Sequence, residues 1–147
     1  YRYLCDDVGC KVSSTGNKGY KREANYYYSP IGIEAMQKID DKWSFGASAE
    51  YDYFWKGKQK SYMGDVISGM DTLENDQNRG YGWRASVYVA RATRRATYAI
   101  EPFVRYWYID KSEINDITYR RYRTGWMGWE PENNTTEIGI KFKVVFD

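Results

Sequence analysis

Two carboxylic acids, Glu50 and Asp52, stand two residues apart in a segment where polar and apolar residues alternate. In a β-strand this spacing places both side chains on one face, where paired carboxylates can serve as general acid and general base. The corresponding face of two later segments carries Arg84 and Arg105, which would instead hold the carboxylates in ion pairs. We favour the ion pairs and predict no enzymatic activity, because the chain contains no His and therefore no His-based catalytic pair.

The remaining polar clusters are weaker candidates for a site. Asp71, Glu74 and Asp76 could gather a calcium ion, but their spacing lacks the ordered ligand pattern of a calcium loop, and a solvated acidic loop is the better interpretation. Three arginines and three aromatic residues between positions 119 and 126 could contact RNA, yet the net charge of +2 does not point to a nucleic-acid partner. We predict a solvated loop there, no nucleic-acid partner and no cofactor.

The two cysteines, Cys5 and Cys10, lie close together in a segment rich in Gly, Ser and Lys. Two thiols without any His are too few ligands for a metal site. We therefore predict a short loop disulfide between Cys5 and Cys10, formed in an oxidising compartment.

The composition is marked by its aromatic residues, which make up 18% of the chain and include 16 Tyr and 6 Trp. Both side chains join an apolar body to a polar tip, so they suit strands and membrane–water interfaces. The mean hydropathy of -0.80 excludes a helical membrane protein, and no run approaches the roughly 18 apolar residues that a spanning helix needs. A β-barrel is not excluded, because only every second residue of its strands meets lipid.

Period-two alternation of apolar and polar residues predicts six β-strands. The pattern is cleanest at 43–55, where every odd position is apolar or aromatic. Most of the segments exceed the roughly 5 to 6 residues of an average strand and match the about 9 to 11 residues that a tilted strand needs to cross a bilayer. Pro30 and Pro102 lack the amide proton that a ladder requires, which predicts a bulge or break at each. The six segments are 1–4, 27–39, 43–55, 81–89, 98–108 and 138–146.

The predicted connections alternate strictly between short and long. Residues 40–42 and 93–95 are short turns, whereas 5–22, 64–79 and 111–134 are long. Transmembrane barrels show this asymmetry, with tight turns on one rim and long loops on the other, and a soluble meander has no reason to keep it.

The two faces of the predicted strands differ in composition. One face is apolar and becomes aromatic toward the strand ends, as lipid contact and interfacial girdles require. The other mixes acids, bases and glycines; in a narrow barrel such charges pair across the interior while glycines relieve crowding. We therefore predict a lumen charge network on the second face. Its members are Glu34, Glu50, Asp52, Arg84, Glu101, Arg105, Glu137 and Lys141.

The C-terminal segment Ile138–Phe146 alternates hydrophobic residues and ends in Phe, followed by Asp147. It resembles the terminal strand of bacterial outer-membrane proteins, and the segments 100–107 and 134–139 resemble the last hairpin of small Gram-negative barrel proteins. The resemblance covers the final third of the chain and identifies no particular member. It implies a bacterial outer-membrane location, with membrane lipid and the barrel-assembly machinery as partners. The assembly machinery would read Phe142, Val144 and Phe146.

These observations predict a single all-β domain over residues 1–147, an antiparallel up-and-down transmembrane β-barrel. Such a barrel needs at least 8 strands in even number, and six are visible. A hairpin preceding Tyr1 is our first explanation, and an abrupt start without a signal peptide fits a mature or truncated chain. Several chains combining, or two strands hidden in 111–130, are the alternatives.

The function predicted is that of a non-enzymatic integral outer-membrane barrel with a structural or surface-interaction role, acting through long extracellular loops. Trp126, Met127 and Trp129 are unusually apolar for a solvated loop, so we expect them to contact the membrane surface, the barrel mouth or another surface protein. Two alternatives stay open: part of a wider, porin-like outer-membrane pore, and a soluble lipocalin-like barrel that binds an apolar ligand.

Overall fold

A computed structural model of the chain describes residues 1–7, 12, 14, 16 and 18–146. The fold is all-β, and the described residues contain one turn of 3-10 helix, at Met63–Asp65. None of the helical structure in these residues is long and apolar enough to cross a membrane. The strands are β1 (Arg2–Asp7), β2 (Lys21–Lys38), β3 (Trp43–Ser61), β4 (Leu73–Gln77), β5 (Gly80–Ala92), β6 (Ala96–Ile109), β7 (Asn115–Tyr119), β8 (Tyr122–Gly128) and β9 (Asn133–Phe146).

The main sheet follows the chain order. Its strands are neighbours in the order β1-β2-β3-β5-β6-β9, β4 pairs with β3 beside this path, and β7 and β8 form a separate two-stranded sheet. The β3–β5 pairing is antiparallel and runs without interruption from Trp43↔Arg91 to Tyr53↔Tyr81. Beyond it, β3 pairs with β4 from Gly57↔Gln77 to Ser61↔Leu73. One strand therefore takes part in two successive ladders.

All six predicted strands are present, with two corrections to their detail. Neither Pro30 nor Pro102 breaks its strand, because β2 and β6 continue through both prolines, and the alternative of a bulge at each stays a prediction. β3 also runs past its predicted end to Ser61, where small or neutral residues alternate with lysines. The 111–130 segment does contain two strands, but β7 and β8 pair with each other and add none to the main sheet.

The chain divides into two compact units. Unit 1 comprises Tyr1–Tyr28, Phe54–Gly80 and Ile109–Asn133; unit 2 comprises Ser29–Tyr53, Tyr81–Tyr108 and Asn134–Asp147. The three long connections fall almost wholly in unit 1, and both short turns fall in unit 2. In one of these turns the Asp40 carboxylate accepts hydrogen bonds from the amides of Lys42 (2.7 Å) and Trp43 (2.8 Å). These bonds lower the pKa of Asp40.

In unit 2 one face of the sheet is mostly exposed and the other is buried or half-buried. On β3, Phe45 and Tyr51 on the first face are each 48% exposed, whereas Asp52 on the second is 0% exposed. We call the second face the covered face; it carries the even positions 44–52 of β3 and 82–90 of β5, and the odd positions 101–107 of β6. The exposed face is thus apolar and the covered face polar. The exposed large apolar residues of these strands are Trp43, Phe45, Tyr51, Tyr53, Tyr81, Trp83, Val87, Val89, Tyr98 and Ile100.

Glycines on the covered face lie against aromatic rings of the neighbouring strand. Gly46 of β3 is the register partner of Tyr88 of β5, and a Cβ on Gly46 would overlap the phenol ring. A Cβ on Gly82 would lie 2.9 Å from the Trp107 ring, and a Cβ on Gly139 would lie 2.7 Å from Phe103. The rings therefore occupy the volume that a side chain at each glycine would fill.

Unit 1 has a polar interior that ties its strands together. Asn75 of β4 is 2% exposed, and its amide donates to the carbonyls of Glu113 (3.1 Å) and Gly128 (3.3 Å). The carboxylate of Asp71 accepts hydrogen bonds from the Thr118 hydroxyl and the Arg121 amide, both at 2.7 Å. These contacts anchor the β7–β8 hairpin to β4 and to the segment that precedes β4.

The arginine-rich segment forms the tip of that hairpin. Arg120 and Arg121 have φ values of +47° and +72°, and the flanking residues Tyr119 and Tyr122 pair with each other. A two-residue turn with both φ angles positive matches the twist of antiparallel strands, although it favours Gly and Asn over other residues. The predicted solvated loop at 119–126 is therefore an exposed hairpin.

Candidate functional site: the covered face of unit 2

The most deeply buried charge of unit 2 is Asp52. Its register partner on β5 is Gly82, and the absent side chain leaves room for the carboxylate to extend toward β6. There Arg105 Nη2 lies 3.8 Å from Asp52 Oδ2, and the Arg105 guanidinium stacks 5.3 Å from the centre of the Trp107 ring. The glycine thus allows an ion pair between strands that are not neighbours.

A second ion pair lies one step along the same face. Glu50 and Arg84 are direct register partners, and Arg84 Nη1 lies 3.8 Å from Glu50 Oε1. The next pair in the ladder, Ser48 and Ser86, is joined by a hydrogen bond of 2.8 Å between the two hydroxyls. Cross-strand pairs of these kinds stabilise a sheet by roughly 0.2 to 1 kcal/mol each.

The third ion pair joins β6 to β9. Lys141 Nζ lies 2.9 Å from Glu101 Oε1 and 5.1 Å from the centre of the Phe103 ring. Lys141 therefore contacts both Glu101 and Phe103, the residues on either side of Pro102 in β6. The structure brings six of the eight predicted network residues into three ion pairs, while Glu34 and Glu137 lie exposed on β2 and β9 outside these pairs.

Two cavities lie in unit 2. One of about 340 Å³ is lined by Glu50, Arg84, Glu101 and Lys141, so it brings two of the ion pairs together. The other, of about 530 Å³, is lined by Glu34 and Tyr88 among others. Both Asp52 carboxylate oxygens are buried without a hydrogen-bond partner among the described residues. Three acids of this region, Glu50, Asp52 and Glu101, are thus balanced by bases in ion pairs, and the Asp52 pair is not hydrogen-bonded.

The other predicted site residues are exposed. Trp126, Met127 and Trp129 lie on or just after β8 and are 60%, 63% and 57% exposed. The C-terminal residues Phe142, Val144 and Phe146 are exposed on β9. Cys5 is exposed on β1, and Cys10 lies outside the described residues, so the disulfide stays a prediction.

The acidic segment 71–76 differs from its predicted form as a solvated loop. Glu74 and Asp76 belong to β4, where Glu74 pairs with Lys58 and Lys60 of β3, and Asp76 pairs with Lys56 at 3.2 Å. The two lysines lower the pKa of Glu74. These carboxylates form a ladder with lysines of the adjoining strand.

Sequence reasoning missed a second polar cluster, in unit 1. Arg22 of β2 forms an ion pair with Glu130, and Gln59 and Gln77 are buried at 5% and 1% exposure. Burial raises the pKa of Glu130, against the opposing effects of Arg22 and Gln59. The available signal was the alternation of Gly57, Gln59 and Ser61 with lysines, which extends β3 beyond the aromatic stretch.

Comparison with known proteins adds no relatives: no family model matches the chain, and none of the curated proteins compared with it matches significantly.

Proposed function

We propose that the chain is part of an integral outer-membrane β-barrel protein. The strands of unit 2 cross the bilayer with the covered face toward the barrel interior, and the long connections lie on the outer side. The role is structural or one of surface interaction, without catalysis. The resemblance of the C-terminal strand to outer-membrane proteins supports this location and the barrel-assembly machinery as a partner.

The distribution of exposure in unit 2 carries this proposal. Trp83 is 39% exposed and Tyr53 50% exposed, whereas Asp52 is wholly buried. Burial of apolar surface is the main favourable term in folding in water, at roughly 25 cal/mol per Å². A sheet that exposes its aromatic side and buries a carboxylate on its opposite side is therefore suited to an apolar solvent. A soluble lipocalin-like barrel requires the opposite arrangement.

The dimensions of the β3–β5 ladder support the same conclusion. Its pairing from Trp43↔Arg91 to Tyr53↔Tyr81 matches the length that a tilted strand needs to cross a bilayer, about 9 to 11 residues. On the exposed face of β3, aromatic residues stand at both ends, and Ala47 and Ala49 lie between them. Aromatic girdles at two interfaces with smaller residues between them are typical of outer-membrane strands.

Quenching by brominated lipids tests the orientation of the strands. Variants that keep one tryptophan each are refolded into vesicles whose phosphatidylcholine carries bromine on its acyl chains. Trp83 faces outward from β5, whereas Trp107 is 3% exposed on the covered face and serves as the matched control. We expect strong quenching of Trp83 and weak quenching of Trp107. Equal quenching of both, or a protein that stays monomeric without detergent, would refute the proposal.

A transport pore is the second candidate, favoured by the charged cavity of about 340 Å³ in unit 2. Planar-bilayer recordings distinguish the candidates. Defined conductance steps that change when Arg84 is replaced by Glu would support the pore. Their absence from protein shown to be inserted would support the non-conducting barrel.

A further inference from the structure

Unit 1 contains a cavity of about 380 Å³ that is distinct from the ion pairs of unit 2. Its walls come from β1, the first residues of β2, the last residues of β3, β4 and the segment before β9. Arg22, Tyr26, Gln59, Gln77 and Glu130 are among the residues that line it. This volume lies within the usual range for small-molecule sites, about 300 to 1,000 Å³.

One residue of the cavity lining, Gln77, has a buried acceptor that is not hydrogen-bonded. Gln77 is 1% exposed, and its amide nitrogen donates to the Asp110 carbonyl at 3.0 Å. Its carbonyl oxygen, Oε1, is buried without a hydrogen-bond partner in the part of the chain that the structure describes. A buried acceptor left without a donor costs folding free energy, so its retention requires an explanation such as a ligand or an ordered water.

A second residue of the cavity lining, Arg22, has a buried donor. The guanidinium of Arg22 forms an ion pair with Glu130 through Nη2, but its Nε–H is buried without a hydrogen-bond partner among the described residues. A ligand that satisfies both groups must offer a donor to Gln77 and an acceptor to Arg22. A hydroxyl group offers both functions without charge.

The charged residues of the cavity lining and the aromatic residue Tyr26 narrow the class of ligand further. Arg22 and Glu130 compensate each other, Glu23 is paired with Lys21, and the acidic residue Asp6 also lines the cavity, which disfavours an anion. Tyr26 is 6% exposed, and its ring is 6.1 Å from that of Phe54. A ligand with several hydroxyls and an apolar face matches these surroundings, and a pyranose sugar has both.

We propose that this cavity binds one neutral sugar unit. Gln77 Oε1 accepts a hydrogen bond from one ligand hydroxyl, Arg22 Nε donates to another, and Tyr26 contacts the apolar face of the ring. The site consists entirely of unit 1 residues, and its existence does not depend on the membrane assignment.

Saturation-transfer NMR on the refolded chain, in a detergent without a sugar headgroup, tests the proposal. The probes are methyl α-D-glucopyranoside and methyl β-D-galactopyranoside, and the trisaccharide maltotriose distinguishes a free monosaccharide from the terminal unit of a glycan. We expect transfer from at least one probe at millimolar concentration. Gln77→Met and Arg22→Lys should each weaken binding about tenfold, the effect of losing one hydrogen bond.

Two controls separate binding from folding. Arg22→Lys keeps a positive charge near Glu130 and removes the Nε–H donor together with the rest of the guanidinium. Gln37→Met makes the same exchange as Gln77→Met at an exposed position of β2 and should leave binding unchanged. Absence of transfer from all three sugars would overturn the proposal, as would equal binding by the native chain, Gln77→Met and Arg22→Lys. Tryptophan quenching on the same samples reports separately on membrane insertion.

Discussion

Two ion pairs on the covered face of unit 2 have the same length and very different burial. The closest distance is 3.8 Å both for Arg105 to Asp52 and for Arg84 to Glu50. The side chains of Arg105 and Asp52 are 17% and 0% exposed, whereas those of Arg84 and Glu50 are 32% and 31% exposed. Replacing each arginine in turn therefore isolates the effect of burial from that of distance.

Arg105→Met removes the base that lies beside the buried Asp52 carboxylate. Breaking a buried ion pair by removing one partner costs about 3 to 5 kcal/mol, because the remaining charge has neither solvent nor a partner. Arg84→Met leaves Glu50 in contact with solvent, so its cost should be that of an exposed pair, about 0 to 1 kcal/mol. Adding Asp52→Asn to Arg105→Met removes the isolated charge and should restore most of the lost stability.

The assay is equilibrium unfolding by urea of the four proteins in detergent micelles, with folded and unfolded forms resolved by their mobility on unheated gels. The free energy of unfolding should rank the native chain and Arg84→Met above the double variant, and the double variant above Arg105→Met. Equal losses for the two single variants would refute the reasoning from burial. A double variant no more stable than Arg105→Met would show that the lost stability comes from packing rather than charge.

Three further predictions concern smaller features. Gly82→Ala places a Cβ 2.9 Å from both Asp52 Oδ2 and the Trp107 ring. It should lower the free energy of unfolding in urea by about 1 to 3 kcal/mol. An unchanged midpoint of the urea unfolding transition would contradict the packing described. Thr118 and Arg121 lower the pKa of Asp71, so their stabilisation of the β7–β8 hairpin is complete above the ordinary Asp pKa of about 4 and is lost as the pH falls through the lowered value. Trp126 fluorescence should report this loss, and an identical titration of Asp71→Asn would count against it. Thiol labelling before and after reduction should modify Cys5 and Cys10 only after reduction, and labelling of the unreduced protein would exclude the predicted disulfide.

The alternation of residues predicted the long strands well because a strand turns successive side chains to opposite faces. The apolar odd positions of 43–55 and the mostly polar even positions, with Phe54 as the exception, were separable by sequence alone. β4 was not predictable in this way, since its sequence LENDQ contains one apolar residue. Its strand form depends on pairing with lysines of β3, and such tertiary contacts are invisible to a local pattern.

The composition of the charged face could be predicted, but not the choice of partners within it. Glu50 pairs with Arg84 because the two are opposite each other in the β3–β5 register. Asp52 pairs with Arg105 because its own register partner is Gly82, which has no side chain. Both pairings depend on the strand register. Registers that differ by two residues have the same alternation of faces, so the sequence pattern does not distinguish between them.

The fit of Tyr88 against Gly46 has a consequence for the fidelity of strand pairing. A slip of one residue would turn every side chain of β5 to the wrong face, and the hydrophobic pattern alone prevents it. A slip of two residues keeps both faces correct, so that pattern does not oppose it. It would, however, bring Tyr88 opposite Ser44 or Ser48, where a side chain occupies the volume that the ring needs. The glycine positions thus select one strand register among those that differ by two residues, which the alternation of residues does not distinguish.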